Sequence, residues 1–161
     1  LCSLGYTVII SNYKKYYKLC EYLSRYTNAR LGFIVGVDNL IEMFEEKYYR
    51  NLNGGIMEAF GIMLTRDIKI YLYPYQSDTT KELLNSKNIP IHPRAKSIYK
   101  YLFNNKRIED LDYNSELLNI YSREVLKRIK ACESGTWEEM VPKGVAEIIK
   151  EKSLFGMSCK I

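Results

Sequence analysis

Apolar residues along this chain follow two spacings. In GYTVIISN (5–12), RLGFIVGV (30–37) and DIKIYLYPY (67–75) they run almost without interruption and are rich in β-branched side chains, as in strands covered by helices on both faces. Between these runs the spacing lengthens. Tyr13, Tyr16, Tyr17, Cys20, Leu23 and Tyr26 fall near the i, i+3, i+4, i+7 stripe of an amphipathic helix, with Ser11 or Asn12 placed to cap it. Leu40, Ile41, Phe44 and Tyr48 repeat the pattern behind a cap at Asp38 or Asn39, and Ile56, Phe60 and Met63 or Leu64 resume it after NLNGG. Strand, helix, strand, helix, strand predicts a parallel sheet with right-handed crossovers. The fold class expected is therefore α/β: a Rossmann-like parallel sheet of at least three strands, flanked by helices.

After Gln76 the pattern changes. QSDTTKELLNSKNIPIHP is polar and carries two prolines, which predicts a long loop with one helical turn at KELLN. Pro93 then opens a helix through Ala95, Ile98, Tyr99 and Leu102, and two more helices follow, one over Val125, Leu126 and Ile129 and one over Val145, Ile148 and Ile149. The expected organisation is a βαβαβ core over 1–76, a loop over 77–94, and a helical C-terminal part over 95–161 packed on the same core. Trp137 is expected to anchor the last helix to the core. Because the chain starts at Leu1 directly before a strand-like run, a fragment of a larger protein with an incomplete sheet is expected.

Composition narrows the functions. No apolar run approaches the roughly 20 residues of a membrane-spanning helix, so no transmembrane segment is expected. The net charge of +5 comes from mixed-sign stretches such as KRIEDLD and REVLKRIKACE, which read as solvated helix faces rather than a nucleic-acid surface. Four cysteines and a single histidine, His92, lack zinc-site spacing, so no metal is expected. Cys20, on the apolar stripe of its helix, reads as a small core residue suited to a reducing intracellular compartment, cytoplasm or organelle matrix.

Candidate chemistry follows from topology. Open parallel sheets bind ligands at the carboxyl ends of their strands, where helix N-termini offer free N–H groups to phosphate. That places Ser11, Asn12 and Asp38 at a binding edge for a nucleotide or phosphorylated small molecule, with Arg25, Lys47 or Arg94 meeting the phosphate. Gly54 and Gly55 read either as a positive-φ turn between two helices or as backbone held close to a ligand. Glu58, in the apolar run IMEAFGIML, reads as facing solvent, as paired with a cation such as Arg25 or Lys47, or as a general base. No catalytic residue and no cofactor is identified. Neither G-x-G-x-x-G nor G-x-x-x-x-G-K-[ST] is present.

Five stretches, TVIISNYKKYYKLCEYLSRYT, IVGVDNLIEMFEEKYYRNLNGGIMEAFGIML, IKIYLYPYQ, SREVLKRIKA and WEEMVPKGVAEIIKEKSLFG, together resemble the C-terminal part of a longer bacterial protein family. That family is automatically labelled nicotinate-nucleotide or nicotinamide-mononucleotide adenylyltransferase, and sometimes TonB-dependent receptor. The resemblance implies nucleotide chemistry, with matched positions that include Asn12, Arg25, Lys47, Gly54, Gly55 and Glu58. The H-x-G-H and I-S-x-T-x-x-R motifs of nucleotidyltransferases with that activity are not in the sequence. The alternative it leaves open is a non-catalytic subunit of a larger assembly, with protein partners or the rest of a longer chain against a tyrosine-rich surface.

Overall fold

A computed structural model of the protein describes Gly5 and residues 7–77 and 81–157. Contacts divide the chain into two compact units, Leu1–Tyr75 with Leu83–Asp112, and Gln76–Glu82 with Tyr113–Ile161. These are not the boundaries expected from composition, because 83–112 belongs with the sheet.

The first unit runs α1 (Tyr16–Leu23), β1 (Leu31–Gly36), α2 (Val37–Met43), α3 (Gly55–Leu64) and β2 (Ile68–Tyr73). Two-residue strands β3 (Tyr75–Gln76, whose second residue is counted with the other unit) and β4 (Leu83–Leu84) follow, then α4 (Lys96–Asn104) and β5 (Ile108–Asp110). KELLN thus contains a strand rather than the expected helical turn. The three longer strands form a parallel sheet in the order β1-β2-β5. The expected α/β class with three parallel strands is therefore what the described residues show, although the membership of the sheet differs. The 5–12 run forms no strand over its described residues: Val8, Ile9 and Ile10 are exposed, Ile10 by 96%. Instead β5 takes the third place, formed by the Ile-Glu-Asp of a stretch that reads as a solvated helix face.

Register decides which side chains make the core. Phe33 lies opposite Ile70, Val35 opposite Leu72 and Ile70 opposite Ile108. All five are buried and share one face, against Tyr17 and Cys20 of α1, Leu40 of α2, Ala59 and Phe60 of α3, and Leu102 of α4. Phe44 stacks on Phe60 at 4.8 Å and meets Tyr99 edge-on at 5.3 Å, an aromatic centre that fixes the helices through large buried areas. The opposite face carries Lys69, Tyr71 and Glu109, with Ile34 exposed by 72%. The expected cover on both faces is thus seen on one face among the described residues. Gly32 makes room for the Tyr71 ring there, since a Cβ at Gly32 would lie 3.0 Å from Tyr71 Cε2.

The junctions are economical. β1 ends at Gly36 and α2 begins at Val37, with no loop between them and no side-chain cap. Asp38 and Asn39 lie inside that helix rather than capping it, and α1 is preceded by Lys15 rather than by a Ser11 or Asn12 cap.

The second unit contains α5 (Ser122–Ala131) and α6 (Val145–Glu151). Val125, Ile129, Ala146 and Ile149 bury Trp137 to 1% exposure, so the tryptophan packs with α5 and α6 in a separate cluster rather than in the core of the sheet expected for it.

Candidate functional site

Each strand of the three-stranded sheet is preceded by a charged residue: Arg30 before β1, Asp67 before β2 and Arg107 before β5. Parallel register sets the three side by side. Arg30 Nε donates to Asp67 Oδ2 at 2.5 Å, and Arg107 Nη1 donates to Asp67 Oδ1 at 2.5 Å and to the Ile68 carbonyl at 3.3 Å. One carboxylate therefore holds two guanidinium groups. Hydrogen bonding from Arg30, joined by Arg107 and opposed by burial, holds the Asp67 carboxyl below its ordinary range, and the same bond raises Arg30. Among the described residues the two terminal nitrogens of Arg30 and Nη2 of Arg107 have no further hydrogen bond, so both clamped groups keep donors to offer.

These residues line a cavity of about 430 Å³ together with Leu64, Lys69, Tyr101, Asn105 and Lys106. Its lining has four cations against one carboxylate. Lys69 pairs with Glu109 and lies 5.3 Å from the centre of the Tyr71 ring. Tyr101, exposed by 58%, is the one aromatic residue of the lining. Helices α3 and α4 both end at this edge, and cations near helix C-termini complement the dipole, which accounts for part of the basic excess. The cavity lies at the amino edge of the sheet, opposite the edge where sequence placed the site.

The carboxyl edge is differently organised. The Asp110 carboxylate, at the end of β5, accepts the Ser86 N–H at 2.8 Å and the Ser86 hydroxyl at 2.6 Å. The buried Tyr99 hydroxyl donates to the Ser86 carbonyl at 2.6 Å, and its pKa is pushed up by burial and by the nearby Asp110 charge. This network fastens the 85–88 turn to the sheet, and its two acceptors and three donors are engaged with one another. Towards the same edge, Lys15, Tyr16, Asn39, Glu42, Tyr48 and Tyr49 help to line a smaller cavity of about 230 Å³, in which Lys15 Nζ already donates to the Tyr48 carbonyl and to Asn51 Oδ1.

The residues singled out from sequence are scattered over the first unit. Ser11 accepts the Tyr13 N–H at 3.1 Å, and Asn12 is exposed. Arg25 lies 3.9 Å from Glu21 on α1, Lys47 3.2 Å from Glu45, and Arg94 3.7 Å from Glu46. Asp38 is exposed on the first turn of α2. Gly55 has φ +55°, the turn conformation its sequence context suggests, while Gly54 has φ −89°. Glu58 is exposed and accepts the Gly54 N–H at 2.8 Å, so it closes the turn on the helix rather than pairing with Arg25 or Lys47. None of these nine residues lines either cavity.

Arg30, Asp67, Lys106 and Arg107 were outside the sequence candidates. The signal that marks most of them is the charged residue directly before each strand, in R-L-G-F, D-I-K-I and R-I-E-D. Among the described residues no group of three or more His, Cys, Asp or Glu could hold a metal ion, and no helix is long and apolar enough to cross a membrane. Set against protein-family models, curated proteins and solved structures, the chain matches none.

Proposed function

We propose that the α/β unit binds a phosphate-bearing small molecule, a nucleotide or phosphorylated metabolite, in the basic cavity at the amino edge of its sheet. The observation that carries the reading is the pair of arginines clamped by Asp67 beside Lys106 and Lys69, in a cavity of about 430 Å³. That volume is within the range of small-molecule sites. Guanidinium groups suit phosphate because their planar donors match its oxygens, and Tyr101 offers a face to a flat ring. The family resemblance points to the same ligand class.

The reading stops at binding and assigns no transfer step. His92, the sole histidine of the chain, accepts the Arg94 N–H through Nδ1 at 3.3 Å in a short helical turn. Phosphorylated metabolites are intracellular species, so the reading also places the protein inside the cell. The test is calorimetry and thermal shift with ATP, nicotinamide mononucleotide and inorganic pyrophosphate. Millimolar or tighter binding that weakens when Arg30 and Arg107 are both replaced by Gln supports it; no binding and no stabilisation by any of the three ends it.

A second reading rests on a separate observation, the open sheet face with Ile34 exposed by 72%. Parallel sheets are ordinarily covered on both faces. On this reading the unit is a subunit of a larger assembly, and another polypeptide, in the same longer chain or a neighbouring one, lies over Ile34 and Tyr71. Ile34→Lys would leave the melting temperature within about 2 °C, because an exposed site tolerates charge, while weakening the assembly. An oligomeric state or copurifying partner unaffected by Ile34→Lys counts against it.

A further inference from the structure

Lys106 stands where the backbone favours glycine. α4 ends in a Schellman arrangement: Lys106 N–H donates to the Phe103 carbonyl at 3.0 Å and Arg107 N–H to the Leu102 carbonyl at 2.8 Å. The residue that makes this turn has φ +55°, a left-handed conformation that glycine adopts freely and other residues adopt at a cost. Lysine contributes no hydrogen bond or ion pair of its side chain among the described residues. The residue instead lines the cavity together with the arginine pair held by Asp67. A helix C-terminus explains the value of a cation nearby, but Arg107 already supplies one at the adjacent position, already engaged with the Ile68 carbonyl and Asp67.

We propose that Lys106 is the anion-anchoring residue of this cavity, and that the group it anchors is a multiply charged phosphate such as a phosphomonoester dianion or a pyrophosphate. The proposal rests on the phosphate-binding reading above and deepens it. Arg30 and Arg107 are preset by Asp67, which also neutralises part of their charge, so a singly charged carboxylate gains little there. Lys106 has no such counter-charge in contact. Glu109, ion-paired with Lys69, is the anion near enough to sense its charge, so Lys106 supplies the least compensated attraction of the lining to a second phosphate charge. The two arginines then select by shape and Lys106 by charge number.

The experiment is isothermal titration of inorganic pyrophosphate, with acetate as the singly charged control, into the full chain at about 0.1 M ionic strength, where exposed charges more than about 10 Å apart are largely screened. Four proteins are compared: wild type, Lys106→Gly, Lys106→Arg, and Lys18→Gln as a control of equal charge loss on α1. Lys106→Gly is expected to melt at or above the wild-type temperature and to bind pyrophosphate roughly tenfold more weakly, the loss of one charged hydrogen bond. Lys106→Arg and Lys18→Gln are expected to stay within roughly threefold of wild type. Wild-type-like pyrophosphate binding by Lys106→Gly overturns this proposal and leaves the cavity reading standing. No pyrophosphate binding by wild type overturns this proposal, and the cavity reading falls with it only when ATP and nicotinamide mononucleotide also fail to bind. A Lys106→Gly protein that melts lower refutes the premise that the backbone there favours glycine, and with it the proposal; equal affinity for acetate and pyrophosphate refutes the charge selection.

Discussion

The turn that links the two helical stretches around Gly54 gives a quantitative test of whether Glu58 is a structural or a chemical residue. Its carboxylate accepts the Gly54 N–H at 2.8 Å and adds a negative charge to the first turn of α3. Loss of a helix cap costs about 1 kcal/mol, and loss of a favourable exposed charge at a helix N-terminus about 0.3–1 kcal/mol, so Glu58→Ala should destabilise the protein by about 1–1.5 kcal/mol. For a unit of about 100 residues that lowers the melting temperature by about 4–8 °C. Glu58→Gln retains an oxygen acceptor without the charge and should lose about half as much. Gly54→Ala disturbs the same contact from the other side, because its Cβ would stand 2.9 Å from Glu58 Cβ. The assay is thermal unfolding by far-ultraviolet circular dichroism, with hydrogen exchange of the first α3 amides as a local readout. An unchanged melt for Glu58→Ala refutes the cap. Equal losses for Ala and Gln remove the hydrogen bond from the explanation, and a loss above about 3 kcal/mol would require a buried ion pair instead.

Other outcomes follow from the same contacts. Asp110→Ala leaves the Ser86 N–H and hydroxyl without their acceptor and should cost about 1–3 kcal/mol, read as a lower urea midpoint with faster exchange in 85–89. Glu138 pairs with Lys150 at 2.7 Å and accepts the Gly135 N–H at 2.9 Å. The Lys150 hydrogen bond foremost, against some opposing burial, brings its carboxyl from an ordinary 4.5 down to about 2. A depressed folded-state pKa stabilises above the unfolded value and loses that stabilisation as pH falls. Acidification from about pH 5 to about pH 2 should therefore remove about 1 kcal/mol, after allowing for the exposure of the pair. Trp137, the single tryptophan, reports it by fluorescence, and Glu138→Gln should flatten that dependence. Ile149→Ala opens a cavity against Trp137 in a small cluster and should cost about 2–3 kcal/mol in the transition that Trp137 fluorescence follows.

Much of the fold was legible because helices and buried strands write a period into the sequence. α1, α3, α4, α5, α6, β1 and β2 fall where their apolar spacing lies. The failures share one cause. A strand exists only with a partner, and the partner is not encoded locally. TVII has the composition of a strand, yet its described residues are exposed. Ile108–Asp110, with two acids in three residues, is a strand because β2 supplies an edge and Ile108 a place under α4. The same reasoning applies to the site. Arg30 and Arg107 lie 37 and 40 residues from Asp67, and only parallel register brings them to one carboxylate. Of the candidates taken from the carboxyl-edge rule, Ser11 is engaged in a turn, Arg25, Lys47 and Arg94 in exposed ion pairs, and Asn12 and Asp38 are exposed.

The abrupt passage from β1 into α2 has a consequence for how this chain tolerates change in length. With no slack between Gly36 and Val37, one added residue would swing Leu40 and Met43 about 100° around the axis of α2 and out of the core. Deletions or insertions here are therefore disruptive in steps of a single codon, so length variation in this protein belongs elsewhere along the chain.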